Sequence, residues 1–316
     1  MSKLKGILLT EGMHGMISQV EGLAKALELE FIHEKIELNN FWKLIPPRLT
    51  PVKNFVFKNN IKKDFNVVIS CGRKSVIPSI YLKKKYKDKI MTIHIQDPKV
   101  SLNNFDLIVA PEHDGLEGKN VLKSKGAIHY LTESELKENK SFLKSKVEKE
   151  KIVTLVVGGP NKYYDYNDTV IDEIFLKVKE NFINKGYQLI FIPSMRTPKK
   201  VTIKAKNYFD KNQIIISDVD KKAYLSSLII ANHIIVTCDS TSMISEAAMT
   251  GKPIYVAQMP AIKKNYRFKN FFDLFKSLNI IKDLENSVDD WKYEKLNETK
   301  KISGYIKEQL KNYDFS

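Results

Sequence analysis

From residue 151 the chain reads KIVTLVVGG, then a helix-like stretch over 167–185, then YQLIFIPS, another helix-like stretch near 198–210, and QIIISDV. A helix near 221–231, HIIVTC, a short Ala-rich helix and PIYVAQ complete the block. Short continuous runs of β-branched and aliphatic residues, separated by amphipathic stretches, are what strands buried on both faces require when crossover helices join them. The first half repeats the pattern. LKGILLT (4–10), FNVVISC (65–71), KIMTIHIQ (89–96), NFDLIVAP (104–111) and GAIHYLT (126–132) read as strands. GMISQVEGLAKALEL (15–29) reads as a helix with Ile17, Val20, Leu23, Ala24 and Leu27 on one face. Residues 40–62, with Pro46, Pro47 and Pro51, read as irregular, and 133–150 as a charged helix.

Two such blocks in 316 residues predict an α/β chain of two doubly wound, Rossmann-like domains. The boundary is placed near residue 148, giving domains 1–148 and 149–316, with the last helix (about 296–312) able to pack back on the first.

Composition narrows the partners. A net charge of +15 invites a nucleic-acid reading, but only four of the 52 basic residues are Arg, and the Lys residues are scattered over most helices. With no zinc-ligand spacing or nucleic-acid signature beside it, no nucleic-acid partner is expected. No apolar run approaches the ~18 residues that span a bilayer, and the N-terminus lacks a signal-peptide layout. Cys71 and Cys238 each end a strand-like run and read as reduced core thiols. A cytoplasmic protein is expected. The exception is NNFWKLIPP (39–47) with VKNFVFKNNIKK (52–63), whose aromatics and lysines suit peripheral docking on an anionic membrane surface at its inner face. The competing reading of 39–63 is a loop packed on its own domain.

Ligands in such sheets bind beyond the carboxyl ends of the strands, where helix N-termini point at them. The strand ends here carry TEGMHG, SCGRKS, IQDP, APEHD, GGPNKYY, IPSMRTP and VTCDSTSMISEAAMTGKP. Two of the four arginines, Arg73 and Arg196, fall just past strand ends, where a guanidinium can fork onto phosphate or carboxylate. In the last stretch Ser242 is the expected N-cap, with Ser240 and Thr241 leading into it. Glu246 lies four residues on, free of any capping box because residue 245 is Ser. Open N–H groups favour a phosphate, and a carboxylate one turn deeper accepts hydrogen bonds from vicinal hydroxyls. Phosphate beside diol describes a nucleotide ribose; an ordinary capped helix is the alternative.

Gly158 and Gly159 end a strand where missing side chains let backbone approach a ligand, although a Gly-Gly pair by itself more often marks only a turn. GxGxxG and GxxxxGK[ST] are absent, which argues against NAD and P-loop sites. His14, between Gly12 and Gly15, can serve as a base at neutral pH or be a surface loop residue with no role. His94 reads as a packing residue, and His113, beside Glu112 and Asp114, as lining the ligand site. No metal site is expected.

Taken together VISCGRKS, HIQDP, DLIVAPEHD, TLVVGGPNK, SMRTP and VTCDSTSMISEAAMTGKP, in this order between about residues 7 and 258, resemble the family of plant mitochondrial-fission (elongated-mitochondria) factors and their bacterial homologues. That family is similar to glycosyltransferases of the GT-B fold, two Rossmann-like domains facing a cleft. The resemblance implies a nucleoside-diphosphate sugar as substrate, with no other cofactor. It places Gly158, Gly159, Ser194, Arg196, Ser240, Thr241, Ser242 and Glu246 on the donor side, Glu246 against the ribose and the hydroxyls against the diphosphate. Gly12, Gly15, Gln19, Arg73, Asp97 and His113 would line the N-terminal side, with His14, or else Glu11, as base. The first loop departs from the family in having Ser18 before Gln19. Three functions compete: a metal-independent glycosyltransferase acting on an envelope or lipid-linked acceptor, a non-catalytic adaptor or fission-type factor that retains the fold, and, weakest for want of GxGxxG, an epimerase or reductase.

Overall fold

The computed structural model describes residues 4–285 and 288–315. The chain forms two compact units, one running to Tyr130 and resuming at Asn297, the other spanning Leu131–Leu296.

The first unit contains β1 (Lys5–Thr10), α1 (His14–Ala26), β2 (Glu30–Lys35), β3 (Val67–Cys71), α2 (Val76–Tyr86), β4 (Met91–Ile95), β5 (Leu107–Pro111) and β6 (Val121–Ser124). All pairings are parallel, in the order β2-β1-β3-β4-β5-β6. Every residue of VVISC and MTIHI is buried, as strands covered on both faces must be. On one face Val20, Leu23 and Ala24 of α1, with Leu27 just past its end, join Leu8, Ile69 and Ile93, while Ile17 is only partly buried. The C-terminal helix, Glu298–Lys311, adds Ile302 and Ile306 to that same core. Burying two isoleucines in this way contributes roughly 3–6 kcal/mol, which is why the chain returns to its first unit.

The second unit contains α3 (Glu133–Glu138), α4 (Ser141–Lys144), β7 (Ile152–Val157), α5 (Asp168–Asn181), β8 (Gln188–Pro193), α6 (Lys199–Tyr208) and β9 (Ile214–Ile215). It continues with α7 (Lys221–Ile230), β10 (His233–Thr237), α8 (Thr241–Ala248), β11 (Ile254–Ala257), α9 (Tyr266–Ser277) and β12 (Ile281–Asp283). Its sheet is again wholly parallel, ordered β12-β11-β10-β7-β8-β9.

Four expectations change. Residues 126–132 are not a strand, because their backbone is bonded to side chains instead of a neighbouring strand. Thr299 Oγ1 accepts from His129 N–H at 3.0 Å and donates to His129 C=O at 2.9 Å. The sixth strand is β6, a few residues earlier. The charged helix at 133–150 is two short helices, broken at Asn139 and Lys140. The first carries a capping box between Thr132 and Glu135. The second is fixed to α7 by the Ser226 hydroxyl, which accepts from Leu143 N–H and donates to Lys140 C=O. Both therefore belong to the second unit, and the division falls after Tyr130 instead of near residue 148. Of 213–219 only Ile214–Ile215 forms strand, at the sheet edge.

Candidate functional site at the strand ends

In the second unit β7, β8 and β9 step one way from β7, and β10, β11 and β12 step the other, so the order reverses between β7 and β10. Crevices at such reversals are where open α/β sheets take ligands. The loops at this point are Gly158-Gly159 after β7, Ser194–Thr197 after β8, and Cys238–Ser240 after β10.

The residue that organises them is Asp239, which no motif or spacing in the sequence singles out. It is buried, and its carboxylate accepts from Gly159 N–H at 3.0 Å, from Thr237 Oγ1 at 2.6 Å and from Arg196 Nη2 at 2.7 Å. Thr237 Oγ1 in turn accepts from Gly158 N–H at 2.8 Å. The glycines are required by this approach. A Cβ at Gly158 would stand 2.1 Å from Asp239 Oδ2, and one at Gly159 2.0 Å from the Arg196 carbonyl oxygen. Arg196 Nη1 also donates to Gly159 C=O, yet 43% of the side chain's surface stays exposed. Ser194 shapes the same loop: its N–H donates to Thr197 Oγ1 at 2.7 Å and its Oγ accepts from Arg196 N–H.

The helix α8 begins at Thr241, so Ser240, not Ser242, is its N-cap; its Oγ accepts from Met243 N–H. Ser240 has the extended backbone a cap needs, whereas Ser242 is already the second helical residue. Thr241 and Ser242 thus occupy the first turn, whose N–H groups have no partner within the helix. Glu246 keeps some exposed surface, but protein closely surrounds its carboxyl. Loss of solvation pushes that carboxyl up to about 7, opposed by the hydrogen bond Tyr224 Oη donates to Oε2 at 2.6 Å. Burial likewise raises the phenol of Tyr166, whose hydroxyl donates to Gly158 C=O at 3.3 Å.

The first unit has its own reversal, between β1 and β3, and it is bridged in the same manner. Glu11, just past β1, accepts from Lys74 N–H at 3.0 Å and pairs with Lys74 Nζ at 3.1 Å, just past β3. Glu11 is therefore engaged, while His14 is exposed as the first residue of α1, its ring edge-on to Tyr130 at 6.3 Å. Gly12 adopts φ +85°, but a Cβ on Gly15 would meet nothing within 4 Å, so no close approach depends on it. Gln19 is buried and its Oε1 accepts from Gln96 Nε2 at 3.4 Å.

The remaining N-terminal residues turn to local work. Arg73 donates to Ile45 C=O at 2.7 Å, and Asp97 accepts from Lys99 N–H at 2.8 Å and pairs with its ammonium. His113 is buried, with Nε2 3.6 Å from Asp114 Oδ1, instead of lining an open site. His94 is a packing residue: it is buried with Nδ1 2.8 Å from Ser70 Oγ, and desolvation lowers it to about 3. Cys71 and Cys238 are buried and not joined in a disulfide. Among the described residues, no group of three or more His, Cys, Asp and Glu is placed to hold a metal ion, and no helix is long and apolar enough to cross a membrane.

Residues 14–310 match the family described as Mitochondrial fission ELM1. "Uncharacterized protein RP120" of Rickettsia prowazekii (strain Madrid E) is 25% identical, with 92% of this chain and 95% of that protein covered. The Mitochondrial fission protein ELM1 of Arabidopsis thaliana is 23% identical, covering 77% of this chain and 64% of the plant protein. Among solved structures, a UDP-GlcNAc 2-epimerase from Methanocaldococcus jannaschii superposes with a TM-score of 0.52 at 14% identity, covering 96% of this chain and 99% of that one. The Neisseria meningitidis enzyme, bound to UDP-GlcNAc, gives 0.51 at 12% identity, covering 98% and 100%. At these identities the likeness establishes a shared two-domain, Rossmann-like (GT-B-like) fold and no more.

Proposed function

The chain belongs to the mitochondrial fission ELM1 family, and from that premise we propose that its second unit binds a nucleoside-diphosphate sugar and that the protein transfers the sugar without a metal ion. The observation that carries this reading is the pairing of an open helix start at Thr241 and Ser242 with Glu246, on the helix that follows the reversal point. Diphosphate oxygens suit the N–H groups and dipole of the first turn. Paired ribose hydroxyls suit the carboxylate one turn deeper, with Tyr224 holding its other oxygen. Arg196, steadied by Asp239 but half open, supplies a cation for the leaving diphosphate, the role a metal ion otherwise fills. With Glu11 held by Lys74, His14 is the residue left to take a proton from the acceptor hydroxyl.

UDP-GlcNAc, which structural neighbours of the same fold bind, is the first candidate donor. The missing GxGxxG weighs against a dinucleotide only, so epimerisation of the same substrate class shares this binding mode. A calorimetric or thermal-shift screen of UDP-, GDP-, CMP- and dTDP-sugars tests the reading, with product analysis separating transfer from epimerisation. One nucleotide class is expected to stabilise the wild type and fail with Glu246→Ala; unchanged binding by that variant moves the site elsewhere.

A second reading, an adaptor or fission-type factor without catalysis, is favoured by one observation. Both reversal points are already bridged by an internal acid–base pair, Glu11–Lys74 and Asp239–Arg196. It predicts that no nucleotide sugar in the screen binds.

A further inference from the structure

Between Glu37 and Asp64 the chain has no acidic residue, while Lys43, Arg48, Lys53, Lys58, Lys62 and Lys63 are all exposed. In the same stretch three 3₁₀ turns, Asn40–Lys43, Pro47–Leu49 and Asn54–Val56, hold four large apolar side chains out to solvent. Phe41 is 64% exposed, Leu44 83%, Leu49 67% and Phe55 55%. Isolated exposed apolar residues are ordinary, but four within fifteen residues of chain, interspersed with cations, are not. We propose that this segment is a docking platform for an anionic lipid bilayer, an inference independent of the sugar-transfer reading.

The platform is built, not loose. Trp42 packs inward against the core formed by Ile7, Leu9 and Val56, and its ring lies 4.8 Å from Phe41 and 6.0 Å from Phe55, so the three aromatics are contiguous. Asn39 ties the two ends together, its N–H donating to Val56 C=O and its side-chain amide to Phe55 C=O, next to an antiparallel bridge between Leu38 and Phe57. Thr50 Oγ1 caps the Pro46 carbonyl at 3.0 Å, and Arg73 holds the Ile45 carbonyl from outside the segment. Prolines 46, 47 and 51 stiffen the path. The apolar side chains are thus presented at little further loss of conformational freedom on docking.

Charge and chemistry choose the occupant. Aromatic and leucine side chains insert at the boundary between headgroups and acyl chains, while lysines and arginines beside them meet anionic headgroups. An acidic protein face would satisfy the cations, but it would gain less from Leu44, whose exposure is the greatest of the four. A second copy of this chain would set six cations against six.

Co-sedimentation of the full chain with vesicles tests this, using phosphatidylcholine alone and phosphatidylcholine mixed with phosphatidylglycerol. Binding to the mixed vesicles alone, weakening as salt is raised, is expected. Leu44→Ser with Phe55→Ser should weaken it about tenfold or more, and Lys43→Glu with Arg48→Glu and Lys53→Glu should abolish it. Leu176→Ser, which alters an exposed apolar side chain in the second unit, should leave binding unchanged. Thermal unfolding of each variant checks that loss of binding is not loss of fold. Failure to bind the mixed vesicles, equal binding to both kinds, or binding untouched by either set of substitutions overturns the proposal. So does self-association, seen in sedimentation equilibrium without lipid, that Leu44→Ser and Phe55→Ser abolish.

Discussion

Arg196 and Asp239 meet at 2.7 Å from strands that are not neighbours, β8 and β10, so their ion pair passes over the end of β7 that lies between them. That crossing gives Gly158 and Gly159 their reason. A side chain at Gly158 would strike the Asp239 carboxylate, and one at Gly159 the backbone carbonyl of Arg196.

Substitutions on this bridge should interfere with one another. Asp239→Asn keeps the shape but leaves Arg196 without its counter-charge, and a loss of about 1–3 kcal/mol is expected, since the arginine still reaches solvent. Gly158→Ala drives a methyl into the Asp239 carboxylate and should lose about 3 kcal/mol or more. Because both act through a single contact, the double variant should lose clearly less than the sum. Urea unfolding midpoints at constant slope decide it; strict additivity would falsify the shared contact.

Glu246 should leave a signature in stability against pH. Its carboxyl titrates near 7 in the folded chain, above its ordinary value of 4.5, so the folded state holds the proton more tightly. The resulting stabilisation is complete below about pH 4.5 and fades as pH rises through 7. Glu246→Gln lacks this dependence, so the stability of the wild type relative to the variant should fall across that window by up to roughly 3 kcal/mol, then level off. Parallel curves from pH 4 to 8 would show that the carboxyl is solvated as freely in the folded chain as in the unfolded one.

Ile306 tests the return of the C-terminal helix. It is fully buried in the core shared with Leu8, Val20 and Ile69, and Ile306→Ala should destabilise by about 2–4 kcal/mol. Tyr305, one residue earlier, is 58% exposed, and Tyr305→Ala should stay within about 0.5 kcal/mol of the wild type. Equal losses at both positions would mean that the helix does not dock by this face.

The central strands were legible because burial on both faces forces unbroken apolar runs, as in β3, β4, β7 and β10. Edges were not. EFIHEK forms β2, and its mixed polarity reflects a strand open to solvent, while β12 has only three residues. GAIHYLT looked like a strand because its apolar residues do turn inward, but the hydroxyl of Thr299, far along the chain, takes the backbone bonds a neighbouring strand would have. At the candidate site the glycines, Arg196 and Glu246 stood out by type and place. Asp239 did not, although it lies near the start of the same stretch as Glu246. Its importance comes from Arg196 and Gly159 converging on it, and convergence is not written in spacing. The cap shifted from Ser242 to Ser240 for a related reason: three hydroxyl residues in a row satisfy the same preference, and only the backbone angle at Ser240 chooses between them.

Because the C-terminal helix completes the core of the first unit, that unit is assembled from two pieces separated by the whole of Leu131–Leu296. A nascent chain leaving the ribosome can close the second unit's sheet while the first still shows the bare apolar side of α1. The earlier-made half is therefore the later to mature, and a chain cut short ahead of Ile302 would carry that uncovered surface permanently.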